Sequence, residues 1–290
     1  MLAAVLIDIS REPEAATWVP EIISSLTKYN LSTLHFKHCN VTNGRIVCGK
    51  IAGLPVRCFV VASNKKNMRG HSNPFAAQIP SKNWFYCWIT RLLLERVTYF
   101  AEQKSIEIYG EPRPLRIELS ERGRFSYPQL MAYYEWLKFK STGGANFLAL
   151  GDLSWSVMHR DLIEIHPNET RPGLQLADAV ASSFFRASDI EQVAKHDPKC
   201  AELLEPRIAR DPDKVDGRLH GFGVKLMPNL GRAKLTCEQQ RFTAFTATPM
   251  NSGGCRKKSG TLAPLIERLI ARHQMAMHPI QRHETSPQPE

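Results

Sequence analysis

Residues 171–187 read RPGLQLADAVASSFFRA, and this stretch places one charged residue inside an apolar helical pattern. Its leucines, alanines and phenylalanines recur at the spacing of a helix face, which predicts a packed helix. Asp178 lies in the middle of that pattern, where a buried, unpaired carboxylate would be costly or would become neutral. Asp178 therefore points to a cleft, has a stabilising partner or binds a metal ion. The alternative is a capping or buried, hydrogen-bonded aspartate.

Strand patterns and helix patterns alternate along the rest of the chain. Strands are predicted at residues 2–8, 55–63, 114–123, 145–150 and 161–167. Helices are predicted at residues 12–30, 83–104 and 126–140, in addition to the helix that contains Asp178. This alternation predicts an α/β fold.

Composition indicates a folded protein without a membrane span. The chain has 290 residues, of which 43% are hydrophobic, and its apolar runs are too short to cross a bilayer. Because the N-terminal segment lacks a basic start, we expect no signal peptide and a cytoplasmic location. The seven cysteines include no CxxC pair, so reduced thiols are expected rather than disulfides or a zinc site.

The formal net charge of +10 favours a polyanionic partner such as nucleic acid. Residues 231–290 hold nine Lys or Arg against four Asp or Glu, and we expect them to form a basic, largely disordered tail after a domain spanning residues 1–230. No Walker or Rossmann glycine motif occurs, so no nucleotide cofactor is expected. The oligomeric state is not indicated.

Three carboxylates are candidates for a site that binds divalent metal ions. Glu118 and Glu121 lie around the end of an alternating strand, and Asp178 lies on the later helix. Metal-dependent phosphodiester cleavage needs oxygen ligands from several elements. For the two glutamates the alternative is a solvated face paired with neighbouring arginines, since surface ion pairs are common.

Several polar residues are candidates for substrate contacts. His35 is expected to be structural or to contact substrate, because no second His or Cys pair has zinc-site spacing. Gln175 shares a helix face with Asp178. Lys65 and Lys66 form part of a basic loop directly after a strand; such a loop either binds phosphate or is simply solvated. His166 is near enough in sequence to the Asp178 helix to reach the same site.

Six motifs follow one another in a recognisable order, and the most specific is Gly-Leu-Gln-Leu-Ala-Asp at residues 173–178. The others are LHFKH at 34–38, LPVRCFVVASNKKNM at 54–68, WITRLLLERV at 88–97, IELSERGRFSYPQLMAYYEWL at 117–137 and GFGVKLMP at 221–228. Together they resemble the domain-of-unknown-function 3800 family over roughly residues 2–230.

The resemblance implies a ribonuclease-H-like fold, with a mixed central sheet flanked by helices, and a metal-dependent site acting on nucleic acid in a phage or mobile element. Asp178 matches the acidic residue of the late helix, and Glu121 or Glu118 approximates that of a middle strand. By this analogy Mg2+ or Mn2+ is the expected cofactor, with Asp178 and Glu121 as ligands. Two functions stay open: a hydrolase acting on phosphodiester bonds, inactive if the first acidic strand is missing, and a non-catalytic nucleic-acid-binding or interaction protein. A folded remnant without activity is the third possibility.

Family members begin with a strand that ends in an Asp-Glu-Ser-Gly-like motif. LIDIS at residues 6–10 looks similar, but the helix that follows it matches the helix after the family's second strand. The resemblance therefore implies that the chain as given starts after the first strand, through a misplaced start codon or a degenerate copy. A metal site would then lack one ligand, and a central strand would lack its pairing partner.

Overall fold

The computed structural model describes residues 1–63, 83–143, 152–189, 196–214 and 219–228. All of these belong to the first of two compact units, Met1–Met250; the second unit is Asn251–Glu290. The tail expected at residues 231–290 and the strand predicted at residues 145–150 lie outside the described residues. Within the described part, no helix combines the length and apolar character that a membrane crossing requires.

Among the residues that the structure describes, five strands form two separate sheets. They are β1 (Leu2–Ile7), β2 (Val56–Ser63), β3 (Leu115–Ser120), β4 (Met158–His166) and β5 (Val224–Met227). In the first sheet β1 pairs antiparallel with β2, and β2 pairs parallel with β5. In the second sheet β3 and β4 are parallel. The expected mixed α/β class is confirmed, but the described strands form two sheets rather than one central sheet because no backbone pairing joins β1 to β3.

Six α-helices of the described residues pack around these sheets. They are α1 (Glu12–Ser24), α2 (Val41–Gly53), α3 (Trp84–Tyr109), α4 (Tyr127–Thr142), α5 (Pro172–Ser188) and α6 (Pro198–Leu203). Local chemistry fixes several of their ends. The side chain of Ser126 accepts a hydrogen bond from the Gln129 amide at the start of α4. Gly110 adopts a left-handed φ of 78° that ends α3.

Helices α3 and α5 cover opposite sides of the first sheet. The apolar face of α5, including Leu176, Val180 and Phe184, is buried in one core with α1, α2 and β2. On the other side α3 contributes Leu93 to a core that contains Phe59 of β2. The same helix places Leu94 in the core of the second sheet. Helix α3 therefore connects the packing of the two sheets.

Strand β1 has apolar side chains on both faces. Leu2, Ala4 and Leu6 pack with the α3 core, whereas Ala3, Val5 and Ile7 pack with the α5 core. Every residue of β1 is only half-buried, although most residues of the neighbouring β2 are buried. The apolar composition of β1 is thus suited to a more enclosed position than the described residues give it.

Helix α3 also carries a buried group of charges. Arg91 Nε lies 2.8 Å from Glu95 Oε1, and Arg96 Nη1 lies 3.6 Å from Glu95 Oε2. Arg96 Nε donates a hydrogen bond of 2.9 Å to the Gly221 carbonyl. Burial raises the pKa of Glu95, and both guanidinium groups act against that effect. The group links α3 to the turn that precedes β5.

The first two helices differ from the sequence predictions. The first helix ends at Ser24 instead of reaching residue 30, and the Ser24 and Ser25 hydroxyls both donate to the Glu21 carbonyl. Helix α2 was not predicted because glycines interrupt its pattern. It begins at an Asn40 cap, and a Cβ at Gly44 would lie 2.9 Å from Arg186 Nη1. Close packing against Arg186 therefore requires glycine at position 44, and this same glycine interrupts the helical pattern in the sequence.

Candidate functional site

A cavity lies between β1 and β3 in the described part of the chain. Its volume is about 1780 Å³, and β1, β3, α3 and α5 all contribute to its walls. Four of the residues singled out from the sequence line it: Asp178, Glu118, Glu121 and His35. We call this space the β1–β3 cavity. Because it gathers candidate residues from distant parts of the sequence, it is the candidate functional site.

Asp178 reaches the wall of the β1–β3 cavity from α5. Its neighbours Leu176, Ala179 and Val180 face the core, and Asp178 is half-buried beside the short 3-10 turn Phe36–His38. Burial raises the pKa of Asp178, while the Phe36 amide and the His35 side chain act in the opposite direction. The carboxylate in the apolar helix thus points towards the cavity and has polar neighbours there.

Gln175 holds two chain segments together. Its Oε1 atom accepts a hydrogen bond of 2.7 Å from the Leu34 amide, and its Nε2 atom donates to the Glu169 carbonyl at 3.1 Å. The residue is buried and does not line the β1–β3 cavity. His35 Nε2 lies 3.9 Å from Glu169 Oε1, so His35 is connected to the same segment. Both polar ends of Gln175 are engaged within the protein.

Glu118 belongs to a compact group of possible metal ligands. The parallel register places Glu118 beside Glu164 and Ser120 beside His166. One ligand atom each from Glu118, Glu164 and His166 lies within 4.8 Å of the others, and the three residues are half-buried. Two carboxylates and an imidazole form a donor set that accepts divalent metal ions. Asp178 and Glu121 are not members of this group.

Arginine side chains form ion pairs with the same carboxylates that a metal ion would use. Arg171, which precedes α5, has Nε 3.5 Å from Glu118 Oε1 and Nη2 3.9 Å from Glu164 Oε2. Arg116 Nε lies 3.9 Å from Glu118 Oε1 and also pairs with Glu12. The group therefore exists as an ion-pair network, which is the alternative expected for Glu118 from the sequence.

The Glu164 carboxyl is stabilised in its charged form. His166 Nε2 lies 2.8 Å from Glu164 Oε2, and this contact, followed by the charges of His166, Arg116 and Arg171, lowers the pKa of Glu164. Glu164 was not predicted as a site residue from the sequence. The pattern that could have revealed Glu164 is the alternation of side chains along residues 161–167, which places Glu164 and His166 on one face of a strand.

Glu121 occupies a different position from Glu118. It follows β3, its side chain is exposed, and its amide donates to the His166 carbonyl at 2.7 Å. The next residue, Arg122, donates from Nη2 to the Tyr86 hydroxyl at 2.7 Å. Lys65 and Lys66 lie outside the described residues. The structure thus brings Glu121 to the cavity without adding it to the compact group.

The arrangement offers two kinds of chemistry. The β1–β3 cavity combines carboxylates that can bind cations or transfer protons with guanidinium groups that can bind phosphate.

The resemblance noted in the sequence has no independent support, because comparisons with known protein families, curated proteins and solved structures give no match to this chain.

Proposed function

We propose that the protein is a nucleic-acid-processing hydrolase of the ribonuclease-H-like type, acting on phosphodiester bonds at the β1–β3 cavity. The observation that carries this proposal is the convergence of Asp178, Glu118 and Glu121 on one cavity. They come from α5, from β3 and from the residue that follows β3. Carboxylates supplied by several elements are what metal-dependent phosphodiester hydrolysis requires.

Basic and aromatic side chains at the same cavity support a nucleic-acid substrate. Arg57, Lys104 and Arg122 line the β1–β3 cavity, and the chain carries a formal net charge of +10. The Arg122 guanidinium lies 3.9 Å from the centre of the Tyr86 ring. Such side chains provide phosphate contacts and stacking surfaces for unpaired bases.

A Mg2+ or Mn2+ ion is the proposed cofactor. Glu118, Glu164 and His166 would hold it once Arg171 withdraws. Asp178 and Glu121, which line the β1–β3 cavity together with Glu118, are proposed as further oxygen ligands. A bound divalent ion would make water a stronger nucleophile at neutral pH. Arg116 and Arg122 would bind the phosphates of the substrate, and Tyr86 would orient Arg122.

A cleavage assay tests this proposal. The full chain is incubated with single- and double-stranded DNA and RNA in the presence of Mg2+, Mn2+ or EDTA. We expect metal-dependent cleavage that Asp178→Asn and Glu118→Gln each reduce by at least about a hundredfold. Glu202→Gln is the matched control because Glu202 is exposed on α6 and does not line the cavity.

A second candidate function is a non-catalytic nucleic-acid-binding protein. The observation that favours it is the ion-pair network, in which Arg171 and Arg116 already neutralise Glu118. Binding that weakens steeply with salt, without cleavage under any metal condition, would support this function and contradict the hydrolase. Under this alternative, Arg122→Gln should weaken binding, whereas Asp178→Asn should have little effect.

A further inference from the structure

Helix α4 carries two exposed aromatic residues on the side that faces away from the second sheet. Leu130, Tyr134 and Leu137 bury one face of the helix in the core of that sheet. On the outer face, Trp136 and Phe139 have relative exposures of 54% and 73%. Because residues three apart in a helix are neighbours, the two rings form one exposed apolar patch. A patch of this kind indicates an interaction site.

The Trp136 ring is already held in a stacked arrangement. The centres of the Tyr133 and Trp136 rings lie 6.2 Å apart, and the ring planes differ by 19°. Tyr133 is itself held in place, because Arg91 Nη1 donates a hydrogen bond of 3.4 Å to its hydroxyl. Trp136 is therefore supported from one side by a second ring while more than half of its surface stays accessible.

Positive charge accompanies these rings. Lys138 is exposed, and Lys140 Nζ lies 6.0 Å from the centre of the Trp136 ring. Glu135, on the same part of the helix, is paired with Arg160 at 3.8 Å. In the described part of the chain, neither lysine forms an ion pair with a carboxylate. We call these aromatic and basic residues the α4 surface; its members are Tyr133, Trp136, Lys138, Phe139 and Lys140.

A small cavity between α4 and β4 contains two hydrogen-bond donors that have no partner among the described residues. These donors are the Tyr134 hydroxyl and the Trp155 indole N–H, and both atoms are buried. The cavity has a volume of about 20 Å³, which is enough for one oxygen-sized group. Lys138 and Arg160 also line this α4–β4 cavity, where Glu135 is the one carboxylate among the described lining residues. The surplus of donors favours an anionic oxygen as the ligand.

The α4–β4 cavity adjoins the α4 surface. Lys138 belongs to both, and Phe139 follows about one turn after Glu135, which lines the cavity. A helix with its side chains is only about 10 Å across. A flexible chain that carries both planar and anionic groups can therefore contact the rings and the cavity at the same time.

We propose that the α4 surface binds single-stranded nucleic acid, with unpaired bases stacked on Trp136 and Phe139 and a backbone phosphate oxygen at the α4–β4 cavity. Aromatic rings stack on every base, and neighbouring basic side chains bind the phosphates. In a duplex the bases stack on one another, so they are not available to the rings. The inference rests on the proposed function in taking nucleic acid as the ligand, but it requires neither a metal ion nor cleavage.

Charge favours this partner over a second copy of the chain. Two copies that met through their α4 surfaces would bring the lysines of both surfaces together, on chains that each carry a formal net charge of +10. Like charges across an interface oppose association. A nucleic acid gains affinity from the same lysines, and it supplies the oxygen acceptor that the Tyr134 and Trp155 donors lack.

Anisotropy of a fluorescein-labelled oligonucleotide of about twenty deoxythymidines, titrated with the full chain in EDTA, tests the inference. We expect Trp136→Ala and Phe139→Ala each to raise the Kd by about tenfold, because each removes a stacking partner of one base. A duplex of the same length should bind at least about tenfold more weakly than the single strand. Phe185→Ala is the matched control, since Phe185 is exposed on α5 and lines neither cavity.

A photochemical cross-link locates the bound strand. The same oligonucleotide with 5-iodouracil in place of thymine is irradiated in complex with the protein, and the cross-linked peptide is identified by mass spectrometry. We expect the cross-link at Trp136 or Phe139. Cross-linking at Tyr86 alone would place the strand at the β1–β3 cavity and overturn the inference.

Tyr134→Phe tests the phosphate position, because it removes the hydroxyl and keeps the ring. We expect the Kd to rise by about fivefold without a fall in the free energy of unfolding, since the hydroxyl has no partner among the described residues. A tyrosine with only a structural role would change stability rather than the Kd. Lys138→Gln should lower the slope of log Kd against log salt by about one. An unchanged Kd in Tyr134→Phe would overturn the phosphate position.

Other outcomes would overturn the surface as a whole. Equal Kd values for the wild type, Trp136→Ala and Phe139→Ala would show that the rings do not bind the strand. Equal affinity for strand and duplex would show electrostatic attraction alone. Self-association in analytical ultracentrifugation that Trp136→Ala abolishes would assign the surface to a second copy.

The result is distinguishable from that of the cleavage assay. Metal-dependent cleavage together with a wild-type Kd in Trp136→Ala would support the hydrolase and contradict the α4 surface. Binding in EDTA that depends on Trp136, without cleavage under any metal condition, would support the α4 surface and contradict the hydrolase.

Discussion

Glu118 on β3 and Glu164 on β4 are neighbours across two parallel strands, and the Arg171 guanidinium lies within ion-pairing distance of both. Two adjacent carboxylates repel each other unless a cation lies between them. In the described structure Arg171 supplies that cation. An arginine and a divalent metal ion would therefore exclude each other at this position.

Removal of Arg171 should strengthen metal binding. In Arg171→Gln the two carboxylates lose their shared cation, so we expect the affinity for Mn2+ to rise by about tenfold. Isothermal titration calorimetry with Mn2+ measures this change. Arg210→Gln is the control, because Arg210 pairs with Glu205 away from the cavity. Equal Mn2+ affinities of the variant and the wild type would contradict the competition.

The charged form of Asp178 should lower the stability of the folded protein at neutral pH. Its pKa is raised by burial, so the folded state binds a proton more tightly than the unfolded state. The stability that protonation gives is complete below the unfolded pKa and is lost as pH rises through the folded pKa. Asp178→Asn should therefore raise the free energy of unfolding by about 1 kcal/mol at pH 7. The gain should shrink at pH 4.

Urea unfolding of both proteins at the two pH values measures this difference. Asp189→Asn is the control, because Asp189 caps the C-terminal end of the same helix and does not line the β1–β3 cavity. A loss of stability in Asp178→Asn at pH 7 would show that the charged form is better stabilised than its burial indicates.

Glu164 should behave in the opposite way to Asp178. Its pKa is lowered, chiefly by the hydrogen bond from His166, so its contribution to stability is present above the unfolded pKa of about 4.3 and is lost as pH falls through the folded pKa. We expect Glu164→Gln to reduce stability at pH 6 and to have no effect at pH 2.5, measured by urea unfolding. A difference that persists in acid would indicate lost packing rather than lost charge.

Gln175 should be important for folding. In Gln175→Ala the buried Leu34 amide loses its acceptor, so we expect the free energy of unfolding to fall by about 1–3 kcal/mol. Thermal or urea unfolding measures the loss. Gln103→Ala on α3, at a half-buried glutamine, should change stability far less. Equal effects of the two substitutions would argue against a specific role for the Gln175 contacts.

The buried charged side chains of α3 should stabilise the fold only as a group, because each is buried beside an oppositely charged partner. Glu95→Ala leaves Arg91 and Arg96 without their carboxylate, and we expect it to cost about 3–5 kcal/mol of stability. A variant that combines Arg91→Met with Glu95→Leu should recover part of this loss, because one buried charge pair is then replaced by apolar side chains. Failure of the double variant to recover any stability would contradict this account.

The elements that were predicted well are those whose local pattern and tertiary environment agree. The spacing of apolar residues at 83–104 predicted α3. The helix continues to Tyr109, and the left-handed Gly110 ends it. The alternation at 114–123 predicted β3. Helix α2 was missed because glycines interrupt its pattern, and one of them, Gly44, packs closely against Phe36 and Arg186, which its local sequence does not reveal.

The candidate site was only partly predictable for the same reason. Asp178 was identifiable from the sequence because a carboxylate interrupts an apolar helix face. Glu164 has no such local anomaly, and its relationship to Glu118 depends on which strands are adjacent and in which register. The ion pairs of Arg171 likewise depend on where α5 begins relative to β3, which one sequence does not reveal.

The division of the strands into two sheets also affects how the molecule opens. In a continuous sheet, backbone hydrogen bonds connect all strands, and they tend to unfold together. Here β3 and β4 share such bonds only with each other among the described residues, and side-chain packing through α3 connects them to the first sheet. We therefore expect β3, α4 and β4 to behave as a separate cooperative unit that unfolds at a lower free energy than the rest.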